Sequence, residues 1–142
     1  MRFASRRVLV SGTACGPLLV FDEPLSLWGG YEPQSGEIID RRHPLSGVEG
    51  AGKVWCMPHG RGSSSASSIL LESVRAGTAP AALLLREEDG ILSLGAAVAR
   101  EIYGRTLPVL LLGADVHEQL CCLPRAEIEV RQTGELVARE LP

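Results

Sequence analysis

The stretch "GKVWCMPHGRGSSSASSILLESVRAGTAPAALLL", Gly52 to Leu85, contains the change of hydrophobic period that decides the fold. It opens with "GKVWCMP", a short apolar run typical of a buried strand. From Ser64 to Ala76, apolar residues recur at spacings of three and four, which predicts a helix with one buried face. Gly77 is placed to end that helix, and "APAALLL" is again a continuous apolar strand. The segment therefore predicts a strand, a helix and a second strand in succession.

The same alternation continues along the chain. "DGILSLGAAVAREIYG", Asp89 to Gly104, predicts a second helix closed by its last glycine, and "LPVLLLG", Leu107 to Gly113, predicts a third strand. Strands that alternate with helices are typical of a parallel sheet with right-handed crossover connections. We therefore predict an α/β fold that contains a parallel βαβαβ unit.

The rest of the chain is rich in predicted strands and turns. "RRVLVSG" (Arg6 to Gly12) and "GPLLVF" (Gly16 to Phe21) are aliphatic runs with bounding glycines. Residues 22–52 form a long Gly- and Pro-rich segment with a short strand at Glu37 to Asp40, which we interpret as an ordered functional loop. The tail, Arg125 to Pro142, alternates around a Thr-Gly turn and predicts a terminal hairpin. These parts predict one domain over residues 1–142, with a β-rich layer added to the parallel unit.

Composition excludes several classes of protein. The chain has 142 residues, of which 45% are hydrophobic and 22% charged, so it can fold around one core. A net charge of −3 offers no basic surface for nucleic acid. The longest apolar stretch, Leu107 to Ala114, is far shorter than the roughly 20 residues of a membrane helix, and the first residues lack the apolar core of a signal peptide. We therefore expect a cytoplasmic protein.

The chain has four cysteines, Cys15, Cys56, Cys121 and Cys122, and none of them forms a CxxC spacing. In a cytoplasmic chain such cysteines are expected to be free thiols that serve as small, buried apolar residues. Their spacing predicts neither a zinc site nor a complete iron–sulfur cluster held by this chain alone.

A polar loop joins the first predicted strand of the parallel unit to its helix. The strand stops at Pro58 and the helix starts near Ser63, which leaves "HGRG" as the turn. Ligands of parallel sheets bind beyond the carboxyl ends of strands, and a helix N-terminus attracts anions. Gly60 and Gly62 allow close backbone approach, and the serine hydroxyls add donors. The pattern predicts an anion-binding or catalytic loop, in which a serine acts as base if a substrate and a strong Lewis acid lie opposite.

A plainer interpretation of this loop stays open, in which one serine caps the helix and the others are solvated or packed. The loop lacks the lysine of a phosphate-binding P-loop, and the sequence contains no GxSxG elbow. A nucleotide hydrolase and an ordinary esterase are therefore disfavoured.

Two long stretches of the sequence carry a resemblance to a known family. "GPLLVFDEPLSLWGGYEPQSGEIIDRRHPLSG" and "GRGSSSASSILLESVRAGTAPAALLLREEDGILSLGAAVAREIYGRTLPVLLL" resemble, in this order, the small subunit or swivel domain of the aconitase X family. The likeness runs from about Val8 to Leu112. It implies a swivelling β/β/α domain that closes over a large subunit, which carries an iron–sulfur cluster and most of the catalytic groups.

The resemblance also implies a dehydratase, a hydro-lyase active only with its large subunit. Bacterial members of the family act on cis-3-hydroxy-L-proline and give a pyrroline carboxylate, whereas archaeal members act on mevalonate 5-phosphate. The archaeal loops are closer to GKGST than to the "GRGSSSASS" of this chain. We therefore expect hydroxyproline as substrate, with mevalonate 5-phosphate as the alternative.

The resemblance assigns roles within this loop, residues 59–65, which we call the serine loop. Aconitases supply a serine base from a Gly-Ser-Ser-Arg loop, and by motif position the matching residue here is Ser63, directly after Gly62. Ser64 falls on the second serine, and Ser65 stands where the arginine would be. We expect Ser63 to take the proton and the N–H groups of Ser64 and Ser65 to hold a substrate carboxylate. Arg61 is the candidate to replace the missing arginine as a carboxylate clamp.

Alternatives from other classes rest on other residues. His59, at the start of the serine loop, allows a mobile phosphocarrier domain in which a histidine accepts phosphate. A non-catalytic interaction module would keep the fold and lose the chemistry. His43, in "DRRHPLSG", is expected to be structural, and Trp28 to contact either the large subunit or the core.

Overall fold

The computed structural model describes residues 1–61, 65–123 and 125–142. The elements assigned within these residues are, in chain order, β1 Arg2–Ala4, β2 Arg7–Val10, β3 Ala14–Val20, α1 Leu27–Gly30, β4 Tyr31–Glu32, β5 Glu37–Ile38, β6 Val54–Met57, α2 Ser65–Ala76, β7 Ala82–Leu85, α3 Gly90–Tyr103, β8 Val109–Leu111, α4 Ala114–Cys121, β9 Ala126–Val130 and β10 Glu135–Glu140. Of these, α1 is a single turn with non-helical dihedral angles inside it.

The strands of the described residues form an eight-stranded sheet in the order β1-β10-β9-β3-β6-β7-β8-β2, and β4 pairs with β5 in a separate hairpin. The neighbours β3, β6, β7 and β8 run parallel, and the remaining pairs are antiparallel. The chain crosses from β6 to β7 through α2 and from β7 to β8 through α3. The predicted parallel βαβαβ unit is confirmed, and so is the terminal hairpin, formed by β9 and β10.

Strand β3 belongs to both parts of the sheet. Its first half, Ala14–Pro17, pairs with β9, and its second half, Leu18–Val20, pairs with β6. As a result the antiparallel part folds over one face of the parallel part, where Leu110 packs in one cluster with Ile128. Helices α2 and α3 cover the opposite face. These three layers confirm the predicted β/β/α swivel-type fold, with a β-rich layer beside the parallel unit.

Successive residues of β6 face the two cores in turn, because side chains alternate along a strand. Trp55 and Met57 lie in the core under the helices, whereas Val54 and Cys56 lie in the core under the antiparallel strands. All four residues are buried. Strand β6 is therefore fixed on both faces, and it ends where the serine loop begins.

The segment of residues 22–52 is ordered by aromatic packing on the helix side of β6. The ring centroid of Trp55 lies 4.8 Å from that of Phe21 and 5.2 Å from that of Tyr31. The indole N–H of Trp55 also donates a hydrogen bond of 2.9 Å to the carbonyl oxygen of Gly50. This long segment therefore packs on the parallel sheet beside the serine loop.

The structure also differs from the sequence prediction at several elements. The short strand β1 pairs with β10, although no feature of the first residues predicted it. In the sequence, Asp115 and His117 are typical of the start of a short helical turn, and the structure has an eight-residue helix, α4, at this position. The end of α3 is as predicted, since Gly104 adopts φ 64° and donates its N–H to the carbonyl oxygen of Arg100. None of the helices in the described residues is long and apolar enough to span a membrane.

Candidate functional site

The serine loop begins where β6 and β7 are still held side by side. The N–H of Arg86 donates to the carbonyl oxygen of Met57 at 3.2 Å, and the N–H of Glu87 donates to that of Pro58 at 3.0 Å. These bonds carry the parallel pairing past the last residues of both strands. The loop therefore emerges at the carboxyl edge of the parallel sheet, as the sequence predicted.

Gly60 lies directly against the N-terminus of α3. A Cβ atom built on Gly60 would come 1.8 Å from Asp89 Oδ2 and 3.0 Å from Leu92 Cδ1, so a larger residue does not fit there. Asp89 is itself fixed, because its Oδ1 accepts hydrogen bonds from the N–H groups of Ile91 at 2.9 Å and Leu92 at 3.0 Å. The side chain that caps α3 thus leaves room only for glycine at position 60.

The predicted site residues divide into two groups. Gly62, Ser63 and Ser64 lie outside the described residues, so their roles stay predictions. Arg61 is exposed, and Ser65 is the first residue of α2 and half-buried. The twelve-residue helix α2 therefore starts at Ser65, the last of the three successive serines, and its positive end lies at the loop.

Arg61 lines a polar cleft between the serine loop and the segment of residues 22–52. Its backbone forms a parallel bridge with Ser26. The cleft has a volume of about 460 Å³, and its charged lining residues are Arg61, Arg42, Glu23 and Asp40. The backbone N–H of Arg42 donates to Asp40 Oδ1 at 3.0 Å. The cleft therefore offers guanidinium and carboxylate groups together, which suits a ligand that carries both charges.

Arg42 and Asp89 are site residues that the sequence did not single out. Arg42 comes from "DRRHPLSG", where two successive arginines before a histidine were the available signal. Asp89 stands directly before the α3 run, which is the usual position of a helix cap. Its contact with the serine loop depends on how the ends of β6 and β7 are paired, and that pairing is not visible in the sequence.

His43 has a structural role, as expected. It is 7% exposed, and its Nδ1 accepts a hydrogen bond of 3.1 Å from the N–H of Leu45. Its Nε2 therefore carries the proton and donates to the carbonyl oxygen of Glu23 at 3.1 Å. The ring also meets Phe21 edge-on, with the centroids 5.8 Å apart. His43 thus fixes the wall of the cleft through both of its ring nitrogens.

His59 and Trp28 flank the same region. The half-buried His59 has its Nδ1 2.6 Å from the carbonyl oxygen of Gly60, so Nδ1 carries the proton and donates it. Trp28 is 62% exposed, which excludes the core-packing alternative for this residue. The hydroxyl of Ser26, which lines the cleft, donates to the backbone carbonyl oxygen of Trp28 at 3.3 Å.

Comparisons with known families, sequences and structures agree on one family. The family described as "Aconitase X swivel domain" matches residues 3–135. The "Cis-3-hydroxy-L-proline dehydratase" of Pseudomonas aeruginosa is 51% identical over 122 residues, which are 86% of this chain and 21% of that protein. The chain therefore spans about a fifth of the length of this relative.

Two further relatives correspond more closely to this chain in length. The "Phosphomevalonate dehydratase small subunit" of Methanothermobacter thermautotrophicus is 41% identical over 93 residues, 66% of this chain and 71% of that protein. A crystal structure of Thermococcus kodakaraensis aconitase X in its holo form superposes with a TM-score of 0.83 at 27% identity, and the match covers 99% of each chain.

Proposed function

The chain belongs to the aconitase X swivel-domain family, and from this we propose that it is the small subunit of a dehydratase that converts cis-3-hydroxy-L-proline to Δ1-pyrroline-2-carboxylate. The observation that carries the proposal is the 51% identity to the Pseudomonas aeruginosa dehydratase. The phosphomevalonate dehydratase relative is named a small subunit, which implies a larger partner chain, and a large subunit is the partner that we propose for this chain.

The charges of the cleft support an amino acid as substrate. Hydroxyproline carries a carboxylate and a secondary ammonium group, and the cleft presents two guanidinium groups, Arg42 and Arg61, beside two carboxylates, Glu23 and Asp40. Opposite charges in both positions stabilise a zwitterion, whereas a ligand with two anionic groups would meet the carboxylates unfavourably. We therefore propose that the substrate binds between the serine loop and the segment of residues 22–52.

We assign the proton transfer to Ser63. Ser63 Oγ takes the proton from C2, the carbon next to the substrate carboxylate, and the C3 hydroxyl leaves as hydroxide, which a Lewis acid held by the partner would accept, as the C2=C3 bond forms. Transfer of the proton on the ring nitrogen to C3 then converts this enamine to the Δ1-pyrroline. A serine oxygen accepts a proton only when its own negative charge is stabilised, and the positive end of α2 provides such stabilisation. The N–H groups of Ser64 and Ser65 bind the carboxylate, Gly62 allows its close approach, and Arg61 pairs with it.

The family implies an iron–sulfur enzyme, and the cysteines of this chain do not fit a cluster. Cys15 is too far from Cys56 to share a cluster with it, because Cys15 lies about 16 Å along β3 from Val20, the residue that pairs with Cys56. Cys56, His117 and Cys121 hold their ligand atoms within 4.8 Å of one another, which leaves room for one ion and not for several iron atoms. The remaining cysteine is exposed. We therefore assign the cluster to the large subunit.

A second candidate function is dehydration of mevalonate 5-phosphate. The chain is 41% identical over 93 residues to the Methanothermobacter small subunit and covers 71% of it. The two candidates differ only in the substrate, and they share the serine loop, the cleft and the need for a partner.

The test is an assay of the chain co-expressed with its large subunit, with the two substrates compared by kcat/KM. We expect hydroxyproline to be preferred, and Ser63→Ala to lower kcat by at least about 10³-fold while complex formation and iron content stay unchanged. Ser68→Ala is the matched control, because Ser68 is an exposed residue of α2. Full activity in Ser63→Ala would place the base elsewhere, and no activity on either substrate would contradict the proposed function.

A further inference from the structure

A group of sulfur and nitrogen atoms lies on the other face of β6, away from the serine loop. Cys56, His117 and Cys121 place one ligand atom each within 4.8 Å of the other two. Sγ of Cys121 is 3.8 Å from both Nδ1 and Nε2 of His117. From this arrangement we propose that the three side chains bind one Zn²⁺ ion or a similar soft divalent cation, with water as the fourth ligand.

Secondary structure explains how residues distant in sequence come together here. Cys56 faces the core under the antiparallel strands, and α4 packs over the same part of the sheet, with its Leu120 in that core. His117 and Cys121 are four residues apart on α4 and therefore lie on one face of the helix. The two side chains of α4 thus point toward Cys56 together.

The geometry is close to that of a tetrahedral zinc site. With Zn–S near 2.3 Å and Zn–N near 2.0 to 2.1 Å, ligand atoms around one ion lie about 3.5 to 3.8 Å apart. The separation between Cys121 and His117 already has this value, and the widest separation within the group is 4.8 Å at most. Shifts of about 1 Å, within the reach of side-chain rotation, would therefore bring all three atoms to one ion.

The chemistry of the donors favours the same class of ion. Thiolates and imidazole together select soft or borderline cations such as Zn²⁺, whereas Mg²⁺ and Ca²⁺ prefer oxygen. One ring nitrogen of His117 supplies a lone pair, as in other zinc-bound histidines. Binding displaces the thiol protons of Cys56 and Cys121, and the two thiolates then balance the charge of the ion.

Access and surroundings are also compatible with a bound cation. Cys56 is fully buried, whereas His117 and Cys121 are half-buried and open toward solvent beside α4. The ion would enter beside α4 and would fasten this helix to the end of β6, two residues before Pro58.

The experiment uses the full chain, purified without its partner, reduced and freed of metal. Titration with Zn²⁺ followed by calorimetry should give one ion per chain, and the thermal midpoint should rise by about 5 to 10 °C at saturating Zn²⁺. Replacing Zn²⁺ with Co²⁺ should produce the visible bands of tetrahedral cobalt and a thiolate-to-cobalt charge-transfer band. These measurements do not depend on dehydratase activity, so they stand apart from the proposed function.

Variants decide which side chains bind the ion. Cys121→Ser and His117→Gln should each weaken Zn²⁺ binding by at least about 100-fold and remove the cobalt spectrum. Cys122→Ser is the matched control, because Cys122 is the adjacent exposed cysteine, and it should bind as the natural chain does. No binding of either ion, or binding that survives Cys121→Ser and His117→Gln, would overturn the proposal.

Discussion

The phenol of Tyr31 donates a hydrogen bond of 2.6 Å to the carbonyl oxygen of Thr78 and so ties the long segment of residues 22–52 to the end of α2. Tyr31 is 2% exposed, and its ring packs edge-on against Trp55. The same contact fixes one wall of the cleft relative to the helix that follows the serine loop. The position of the cleft wall therefore depends on a partly buried hydrogen bond as well as on apolar packing.

Tyr31→Phe removes this bond and keeps the ring. We expect the free energy of unfolding to fall by about 1 to 2 kcal/mol, because the carbonyl of Thr78 loses its buried donor. Urea denaturation measures the loss, and the half-buried Tyr103 provides the matched control, Tyr103→Phe. An equal loss in both variants would show that the hydrogen bond of Tyr31 adds no more to the free energy of unfolding than the hydroxyl of Tyr103 does.

Stability should also fall in alkaline solution because of Tyr31. Burial, with a smaller contribution from Glu49, raises the pKa of this phenol above its ordinary value of 10.0. The phenol of Tyr31 ionises at a lower pH in the unfolded chain than in the folded chain. Its contribution to the free energy of unfolding is therefore complete below pH 10 and is lost as the pH rises toward the folded-state pKa. Urea midpoints measured from about pH 8 to about pH 11 should decline less steeply in Tyr31→Phe than in the natural chain. Parallel curves would contradict this prediction.

Gly60→Ala should damage the serine loop because the new Cβ would lie 1.8 Å from Asp89 Oδ2. Either the loop or the cap of α3 must move, and a displacement of about 1 Å in a catalytic loop lowers turnover by about 10²-fold. Gly90→Ala is the control, since a Cβ on Gly90 meets no atom within 4 Å. Steady-state kinetics of the complex measures both variants.

A second substitution tests the cause of the Gly60→Ala effect. Asp89→Ser keeps an oxygen that can cap α3 and removes the carboxylate that a Cβ at residue 60 would meet. Activity should therefore recover in part when Asp89→Ser is combined with Gly60→Ala. If the double variant is no better than Gly60→Ala alone, the contact with Asp89 is not the reason for the loss.

The parallel unit could be predicted from the sequence because its information is local. Each of its strands is a continuous apolar run, and the helices α2 and α3 repeat with the period of a buried face and end at glycines. Strand β1 could not be predicted in this way, because it is a three-residue strand that pairs with β10, far away in the sequence.

The candidate site was predicted only in part for the same reason. The serine loop is visible as a motif, whereas the contact between Gly60 and Asp89 and the approach of Arg42 to Arg61 are tertiary. The cysteines illustrate the limit most clearly. Cys56 and Cys121 are far apart in the sequence and show no CxxC spacing, and only the packing of α4 on the sheet brings them together.

Trp28 should be a main contact for the large subunit. It is 62% exposed, while Leu27 and Gly30 on either side are buried, so the turn that holds it is anchored and the indole projects. Exposed tryptophans beside a site are frequent hot spots, and truncation at such a position costs about 2 kcal/mol or more of binding, roughly a 30-fold weaker complex. We therefore expect Trp28→Ala to weaken binding of the large subunit by at least this factor, measured by calorimetry or analytical ultracentrifugation, with an unchanged thermal midpoint of the free chain. Ile102→Ala is the control, because Ile102 is 60% exposed and lies about 18 Å along α3 from Gly90, at the end remote from the serine loop. Equal weakening by both variants, or none by Trp28→Ala, would place the interface on another surface.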